Sequence, residues 1–432
     1  MILIVLSIQL WYGTYLGNTK IGYLMQDIED VDTAIIYKEF SFMKLKMMGT
    51  ERILTAIGDY ILQKDYRIKK LNFKLKSLSQ ELNIDGICKR DTLFLKILTG
   101  GTYREKKIPA KGGIYLPHLI YTIAVKRRRP VKLKCIDLTI MGIDWAEARI
   151  EKNLGDNTLV WAHFLNAESK ALIDKDGFVI KEWAPMNIVN VREEKEKALK
   201  VEGAPPEVLT YYAIKPQKKI LNPRKVKYLK LKVKGDFLNT DRQKVKWSLF
   251  GRILEVRAIE PERENIGRIP DTLLKYLKPT EFVQCDAPEI KQKALEIIKG
   301  AKTDWEKVKK ILHWVDKNVK DVPSVTMPSA IEVLKNLKGD CNEHAVLFCA
   351  LARAAGVPAE IVVGIVYIND GFYYHAWNKV WLGKWIEVDP TFGQEIADAT
   401  HLALQEGGME NQAKIMGIVG KIKIKVIKYE YQ

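Results

Sequence analysis

The most informative stretch is residues 338–358, which read KGDCNEHAVLFCALARAAGVP. Gly339 and Asp340 indicate a turn, and the residues after them predict a helix over about 341–355, which a glycine and then a proline end in the usual order. Asp340 is suited to the N-cap, so Cys341 would lie in the first helical turn. There the free backbone N–H groups and the positive end of the helix dipole face the sulfur. This environment lowers the pKa of a thiol and favours the nucleophilic thiolate.

A cysteine at a helix start is by itself more often a small packed residue than a nucleophile, but the next segments add two partners. Residues 359–367 predict a strand that is covered on both faces, and a hairpin turn at 369–371 follows it. The next strand carries His375, and the strand that returns from it ends at Asp389. Cysteine, histidine and aspartate would then serve as nucleophile, base and orienting carboxylate.

The second hairpin controls whether His375 and Asp389 share a face of the sheet. A two-residue loop ending at Gly383 would turn them to opposite faces, whereas a three-residue loop over 381–383 would put His375 opposite Asp389. Gly383 would then occupy the left-handed position that ends such loops. We therefore predict a three-residue loop with Gly383 at positive φ, or a bulge that restores the parity.

These segments resemble the transglutaminase-like (papain-fold) superfamily, in the family's own order of cysteine, histidine and aspartate. The resemblance is clear over about residues 285–395, and the wider chain is similar to bacterial proteins that place a large β-rich region before this core. The segments that carry the resemblance are GDCNEHA at 339–345, AAGVP at 354–358, YHAW at 374–377 and WIEVDPT at 385–391.

The resemblance implies a role for each residue of the motif. Cys341 is expected to be the nucleophile, His375 the base and Asp389 the orienting residue. The implied activity is that of a thiol enzyme acting on amide bonds of proteins or peptides through an acyl-thioester, with hydrolysis favoured over transamidation. A protein-glutamine transamidase and a non-catalytic binding module are the alternatives. No cofactor or metal is implied.

The periodicity of the chain divides it into three ranges and predicts an α+β fold. Residues 1–202 are expected to form a β-rich N-terminal domain, and 203–262 a small β region or linker sheet. Two capping boxes, at 303–306 and 329–332, predict helices in the range 263–432. That range is expected to be the papain-like core, with helices packed on an antiparallel sheet.

Composition bounds the remaining classes of function. The chain has 432 residues and a net charge of +17, and its 47% hydrophobic and 28% charged residues are typical of globular proteins. The basic excess favours an anionic partner, for which a cell-envelope surface is the candidate. Lysines in 225–235 alternate with apolar residues as on a solvated strand, so we expect no nucleic-acid partner. Apolar runs are too short for a transmembrane span, and we expect none.

The first ten residues, MILIVLSIQL, have two readings of equal weight. They resemble the apolar half of a secretion signal, but a basic leader and a small-residue cleavage site are missing. They are equally compatible with a first β-strand. An extracytoplasmic location, periplasmic or secreted, is the expectation, and a cytoplasmic location is the alternative.

Several other residues carry weaker hypotheses. A metal site is less favoured than a triad because it uses the same residues; its ligands would be Cys341, His344, His375 and Asp389. We expect His344 and His401 to be structural hydrogen-bonding residues and Cys349 to be a core thiol. Three tryptophans are expected in the core or in cleft walls, and the first could also shield the site from water: Trp377, Trp381 and Trp385.

Overall fold

The structure is a computed structural model, and the residues it describes are 7–47, 50–77, 80–99, 101–139, 141–207, 212–249, 251–322, 329–407 and 421–431. The chain divides into two compact units, residues 1–208 and 209–432. Most of the predicted middle range, 203–262, therefore belongs to the second unit. The division into two units does not test whether the three predicted ranges are separate domains, so they stay a prediction.

In the part of the first unit that the structure describes, fourteen strands form one antiparallel sheet. Its order is β8-β7-β6-β5-β4-β3-β2-β1-β14-β13-β12-β11-β10-β9. The strands are β1 Ser7–Leu16, β2 Thr19–Val31, β3 Ala34–Met47, β4 Thr50–Leu62, β5 Ile68–Ser77, β6 Gln80–Lys89, β7 Thr92–Thr99, β8 Thr102–Pro109, β9 Val131–Asp137, β10 Gly142–Leu154, β11 Asn157–Phe164, β12 Ala167–Ile173, β13 Val179–Trp183 and β14 Ile188–Arg192. The helices are a 3₁₀ turn Pro117–Leu119, α1 Ile120–Arg127 and α2 Lys195–Leu199.

Strict alternation explains why the first unit forms a sheet with one buried face. On β5, Leu71, Phe73 and Leu75 are buried while Lys74 and Lys76 point to solvent. Successive side chains on a strand point to opposite faces, so this pattern covers one face only. Helix α1 packs on β9 to β12. A β-rich N-terminal region is therefore present.

Among its described residues, the second unit combines four helices with three small sheets. The helices are α3 Pro288–Ile297, α4 Asp304–Asn318, α5 Ala330–Asn336 and α6 Cys341–Ala354, with 3₁₀ turns Pro223–Lys225 and Asp271–Leu277. The first sheet has the order β16 Gln243–Ser248, β17 Gly251–Arg257, β15 Tyr228–Lys234 and β24 Lys423–Glu430. The second, a parallel pair, joins β18 Lys320–Asp321 to β19 Lys338–Gly339. The third has the order β22 Trp385–Val388, β21 Gly371–Trp381, β20 Ala359–Ile368 and β23 Leu402–Glu406.

Helix α6 is the central element of the second unit. From Glu343 to Arg353 its residues are buried, and α3, α4 and α5 all contact it. On its other side it packs against β20 and β21. The predicted caps are present, since Thr303 and Ser329 each accept a hydrogen bond from the backbone N–H three residues later. Helices packed on an antiparallel sheet therefore form this unit's core, as predicted.

No helix among the described residues is long and apolar enough to cross a bilayer. The first described strand begins at Ser7, and residues 1–6 lie outside the described residues. The two readings of the first ten residues therefore both stay predictions.

Candidate active site

Cys341 is the first residue of α6 and is partly exposed. Asp340 is the N-cap, and its carboxylate accepts a hydrogen bond from the N–H of Asn342 at 2.8 Å. The carboxylate of Glu343 accepts one from the N–H of Asp340 at 2.8 Å. This reciprocal capping box fixes the point at which the helix begins. The predicted N-cap and helix start are confirmed.

The electrostatic surroundings of Cys341 differ from those predicted. Its sulfur accepts a hydrogen bond from the backbone N–H of Ala376, but desolvation by the surrounding protein raises the pKa of the thiol well above its usual value. The carboxylates of Asp340 and Glu343 add to the rise. The predicted lowered pKa is therefore wrong, because the box that starts the helix also brings two carboxylates near the sulfur. At neutral pH the resting thiol is protonated.

Strand β21 holds His375 in a buried position close to α6. Asn378, on the same strand, donates a hydrogen bond to the carbonyl of Ala345 at 3.0 Å and so ties the strand to the helix. His375 pairs with Gly364 of β20. A Cβ at Gly364 would lie 2.0 Å from the carbonyl oxygen of Leu402, so only glycine lets β23 approach this closely.

Asp389 follows β22, is fully buried, and accepts hydrogen bonds on both carboxylate oxygens. Oδ1 accepts from the N–H groups of Thr391 at 2.8 Å and Phe392 at 3.3 Å. Oδ2 accepts from Nε2 of His375 at 2.8 Å and from Nε2 of His401 at 2.9 Å. Burial opposes ionisation, but the two imidazoles hold the pKa of Asp389 far below its usual value. At neutral pH the group is a carboxylate.

The protonation of His375 follows from its partners. An ionised carboxylate only accepts hydrogen bonds, so Nε2 of His375 carries the proton that points to Asp389. Burial lowers the pKa of His375, Asp389 raises it, and the cations of His401 and Arg224 lower it further; the net shift is downward. The ring is therefore neutral at neutral pH, and its Nδ1 is the basic atom. In the resting state a neutral thiol and a neutral imidazole are therefore present, in place of the thiolate that the sequence predicted at Cys341.

The hairpin between β21 and β22 has a three-residue loop, at 382–384 rather than at the predicted 381–383. Trp381 pairs with Trp385, and their rings meet edge to face at 5.5 Å. Gly383 is the middle residue of the loop, with φ +85°. A three-residue loop with a left-handed Gly383 is confirmed, but it lies one residue later. Cross-strand packing of the tryptophans favours this register.

A loop placed one residue later shifts every cross-strand pair by two residues. Because the side-chain period of a strand is two, His375 and Asp389 still share a face. Asp389 is no longer directly opposite His375, since continuation of the register would bring it beside Trp377. The carboxylate therefore reaches the imidazole diagonally, at the 2.8 Å given above.

Aromatic rings enclose His375. Phe392 stacks on the imidazole at 4.8 Å between ring centroids, and Trp377 lies nearly parallel to it at 6.0 Å. Trp377 is fully buried, and its indole N–H donates to Glu387 at 2.8 Å. These rings exclude water from the hydrogen bond between His375 and Asp389, which strengthens it.

His401 is the residue near Asp389 that the sequence analysis did not connect with the site. It was expected to be a structural hydrogen-bonding residue, and it does donate hydrogen bonds, but its Nε2 bonds the same oxygen as His375. The rings of the two histidines lie 5.7 Å apart between centroids. No periodic pattern relates β21 to the start of β23, so this contact left no signal in the sequence.

The other candidates have structural surroundings. Cys349 is fully buried, and burial raises the pKa of its thiol to about 12, as expected of a core thiol. His344 faces backbone carbonyls with both ring nitrogens, Asp340 at 2.7 Å and Val319 at 3.2 Å. Both nitrogens are thereby engaged, which removes His344 from the alternative metal set.

One cluster among the described residues brings three potential metal-binding side chains together. The ligand atoms of His375, Asp389 and His401 lie within 4.8 Å of one another. Both imidazoles already donate to the Asp389 carboxylate, so hydrogen bonding alone accounts for the arrangement. The cluster therefore gives no separate support to a metal site.

Comparisons with known proteins find similarity to one family and to several individual proteins. Residues 291–390 match the transglutaminase-like superfamily. Kyphoscoliosis peptidase of Mus musculus is 30% identical over an alignment of 123 residues, and the match covers 24% of this chain and 18% of that protein. The Homo sapiens protein matches similarly, at 30% over 121 residues. The chain thus matches less than a fifth of the length of these relatives.

Two solved structures show weaker likeness. A protein assigned provisionally as a cysteine protease, from Cytophaga hutchinsonii, has 16% identity and a TM-score of 0.32, covering 48% of this chain and 86% of that one. The periplasmic domain of TgpA from Pseudomonas aeruginosa has 16% identity and a TM-score of 0.29, covering 42% and 89%.

Proposed function

Because residues 291–390 form a transglutaminase-like domain, we propose that this protein is a cysteine enzyme that hydrolyses amide bonds of proteins or peptides. The observation that carries the proposal is the 2.8 Å hydrogen bond between Nε2 of His375 and Oδ2 of Asp389. His375 lies on β21, and the backbone N–H of the next residue of that strand, Ala376, donates to the sulfur of Cys341. Nucleophile, base and orienting carboxylate are thereby available in one dry site.

The resting protonation states define the first step. Nδ1 of His375 takes the proton of the Cys341 thiol as the sulfur attacks the substrate carbonyl carbon. A C–S bond forms, and the carbonyl becomes a tetrahedral oxyanion. The imidazolium then gives this proton to the departing amine, the C–N bond breaks and a thioester remains. Asp389 stabilises the transient imidazolium and keeps the ring in the right tautomer.

Water completes the cycle. His375 takes a proton from a water molecule as the water oxygen attacks the thioester carbon. The C–S bond then breaks, the carboxylic acid product leaves, and His375 returns the proton to the sulfur. Within the first turn of α6, the cap already uses the N–H groups of Asn342 and Glu343. The backbone N–H of Cys341 is therefore the first-turn donor that we assign to the oxyanion.

Transamidation shares the thioester and differs only in the molecule that resolves it. An amine in place of water would make the protein a protein-glutamine transamidase, and hydrolysis is favoured because it needs no second substrate site. A non-catalytic binding module is the remaining alternative. The coexistence of Cys341 with a bonded His375 and Asp389 argues against it, because binding alone needs none of these hydrogen bonds.

Substrate profiling tests the proposal and separates the three functions. The full chain is incubated with a peptide library, with and without a primary amine, and products are identified by mass spectrometry. Cleaved peptides in both samples support hydrolysis, whereas peptides that carry the amine support transamidation. Absence of both products, or equal products from a Cys341→Ala variant, would favour the binding module.

The location and the surface partner stay predictions. An extracytoplasmic location rests on the apolar first ten residues, and an anionic cell-envelope partner rests on the net charge of +17. Fractionation of the native host cell tests the first. Cosedimentation with anionic and with neutral vesicles tests the second, and equal binding to both would contradict it.

A further inference from the structure

His401 is buried between two carboxylates. Its Nε2 lies 2.9 Å from Oδ2 of Asp389, and its Nδ1 lies 3.2 Å from the carbonyl oxygen and 3.4 Å from Oδ2 of Asp398. Oδ2 of Asp389 and the carbonyl oxygen of Asp398 only accept hydrogen bonds, so both ring nitrogens must carry protons to bond them, and Oδ2 of Asp398 adds a charge contact. A ring that is protonated on both nitrogens is an imidazolium cation.

Asp398 is itself held firmly in place. Its Oδ1 accepts from the hydroxyl of Thr400 at 2.6 Å and from its N–H at 2.8 Å. Its Oδ2 lies 3.2 Å from the guanidinium of Arg224, which also donates to the Thr400 hydroxyl at 3.1 Å. Arg224 in turn lies 4.5 Å over the ring of Phe392, which stacks on His375. Arg224 and Asp398 therefore fix the far side of His401.

We infer that His401 is a positioning residue, which as a buried cation fixes the Asp389 carboxylate toward His375 and keeps His375 neutral, so that its free nitrogen can accept a proton. The inference rests on the proposed function for its catalytic meaning, but its electrostatic part is independent of any reaction. The four contacting side chains alternate in charge, in the order Arg224 cation, Asp398 anion, His401 cation and Asp389 anion. The neutral His375 ends this order.

Two considerations favour this role over a purely structural one. Asp389 alone would raise the pKa of His375, and a cation whose ring centroid lies 5.7 Å away counteracts that rise. A base with a pKa near or below neutral is free to accept the thiol proton at neutral pH. Burial opposes the charged form of His401, but Asp398 and then Asp389 raise its pKa, so the net shift is upward.

Charged groups on several elements surround His375 and influence its pKa. Asp389 raises its pKa, whereas His401 and Arg224 lower it. On β18, burial raises the pKa of the Asp321 carboxylate, and its interaction with His375 opposes that rise in part. Of these groups, His401 shares the Asp389 oxygen with His375, so its replacement gives the most direct test.

The test uses the full-length protein with ¹⁵N-labelled histidine, whose six histidines are assigned by single substitutions. In the wild type, the His401 signals should show both nitrogens protonated at pH 7. In His401→Gln, whose amide retains one donor toward Asp389 without the charge, the pKa of His375 should rise by roughly one unit. Asp398→Asn should lower the pKa of His401. A neutral His401 at pH 7, or an unchanged pKa of His375 in His401→Gln, would overturn the inference.

Kinetics with a substrate from the peptide library give the second readout. We expect kcat to fall by roughly tenfold in His401→Gln and roughly a hundredfold in His401→Phe, which retains a ring without donors, while KM stays within about twofold. The acid limb of kcat/KM should move to higher pH in both variants. A purely structural role would lower the melting temperature and the active fraction without moving that limb.

His118→Gln is the matched control, since it removes another histidine that lies 3.4 Å from a carboxylate, Glu39, in the first unit. It should leave the pKa of His375 and turnover unchanged. If His401→Phe does not fold, His401→Gln decides the kinetic test. If the wild type turns over no amide substrate, the proposed function fails, and the NMR titration still decides the inference.

Discussion

Each unit contains a carboxylate surrounded by aromatic donors. In the first unit, Glu39 accepts a hydrogen bond from the Tyr60 hydroxyl at 2.8 Å and a long one from Tyr37 at 3.5 Å, and His118 lies 3.4 Å away. In the second unit, Asp389 accepts from two imidazoles and two backbone N–H groups, as described above. In both clusters a carboxylate is the acceptor, and the clusters differ in the groups that donate hydrogen bonds to it.

The groups that donate hydrogen bonds to each carboxylate decide whether the cluster can exchange protons near neutral pH. Burial raises the pKa of Tyr37 and Tyr60 well above the usual value, and Glu39 raises it further, so these hydroxyls keep their protons. Imidazoles exchange protons near neutral pH, and the environment tunes His375 and His401 in opposite directions. The hydroxyls that donate hydrogen bonds to Glu39 therefore stay protonated, whereas the two imidazoles that donate to Asp389 can exchange protons near neutral pH.

The sheets around the two clusters also differ. On β5 of the first unit, exposed and buried residues alternate, whereas β20 of the second unit is buried at eight of its ten positions. Helix α6 covers one face of the small sheet and removes the solvated face that an antiparallel sheet usually keeps. The hydrogen bonds of Asp389 therefore lie in a drier environment, where they are stronger.

The largest expected effect separates two partly exposed thiols, Cys341 in the second unit and Cys88 in the first. Cys341→Ala should lower turnover by roughly a thousandfold or more, because the nucleophile is lost. Cys88→Ala should leave turnover unchanged. Calorimetry should find both melting temperatures within about 3 °C of the wild type. Comparable turnover in Cys341→Ala and the wild type would disprove the mechanism.

The second test replaces each carboxylate by its amide. Asp389→Asn should reduce kcat by roughly a hundredfold or more, because an amide offers a single acceptor oxygen and cannot stabilise the imidazolium of His375. Glu39→Gln should leave kcat unchanged. Equal losses of kcat in the two variants would mean that Asp389 acts through stability alone.

Asp389 also makes the stability of the protein depend on pH. The folded pKa of Asp389 lies below its unfolded value. Its contribution to the free energy of unfolding is therefore full above roughly pH 4 and is lost as the pH falls toward the folded pKa. Urea titrations between about pH 3 and pH 7 should show this loss in the wild type and a smaller one in Asp389→Asn.

The third test measures iodoacetamide labelling of the two thiols against pH, with the modified peptides quantified by mass spectrometry. Desolvation raises the pKa of Cys88, and it raises that of Cys341 further above the usual value. Labelling of Cys341 should therefore require a higher pH than labelling of Cys88, and in the free protein its midpoint should exceed about 8.5. Urea-denatured protein is the control. Rapid labelling of Cys341 near pH 6 would instead indicate a thiolate–imidazolium pair.

The smallest expected effect compares two turn glycines at positive φ, Gly383 at +85° and Gly155 at +65°. Valine at either position should cost about 1–2 kcal/mol of stability because its Cβ crowds the left-handed backbone. Only Gly383→Val should also lower kcat, by a few fold. Gly383 lies in the hairpin that leads to Asp389, and a Cβ there would lie 2.2 Å from the side chain of Arg263, so the hairpin would have to shift. Nothing lies within 4 Å of a Cβ at Gly155. Equal kcat in both variants would mean that this hairpin tolerates distortion.

Local patterns predicted much of the second unit correctly. The caps at Thr303, Ser329 and Asp340 are present because a side-chain oxygen and a nearby backbone N–H satisfy each other within a few residues. The shared face of His375 and Asp389 followed from parity alone, since a strand alternates with a period of two. Parity does not distinguish registers that differ by two residues, so the exact pairing was wrong.

The electrostatics could not be predicted in the same way. A helix N-terminus favours a thiolate, but desolvation and two nearby carboxylates outweigh it at Cys341. The carboxylates belong to the local capping box, but the desolvation depends on how tightly other elements enclose the sulfur, which no local pattern encodes. The same holds for His401, whose charge depends on Asp389 and Asp398 together.

The sequence by itself determined where helices and strands begin, which residues carry reactive groups, and which strand faces those groups share, because these properties depend on neighbours along the chain. The tertiary structure alone decided the hairpin register, the joining of His401 to Asp389, and the neutral resting states of Cys341 and His375. The physical reason is that pKa values and hydrogen-bond partners in a dry core depend on the distances between charges and on exclusion of water. Both of these arise only when distant segments pack together.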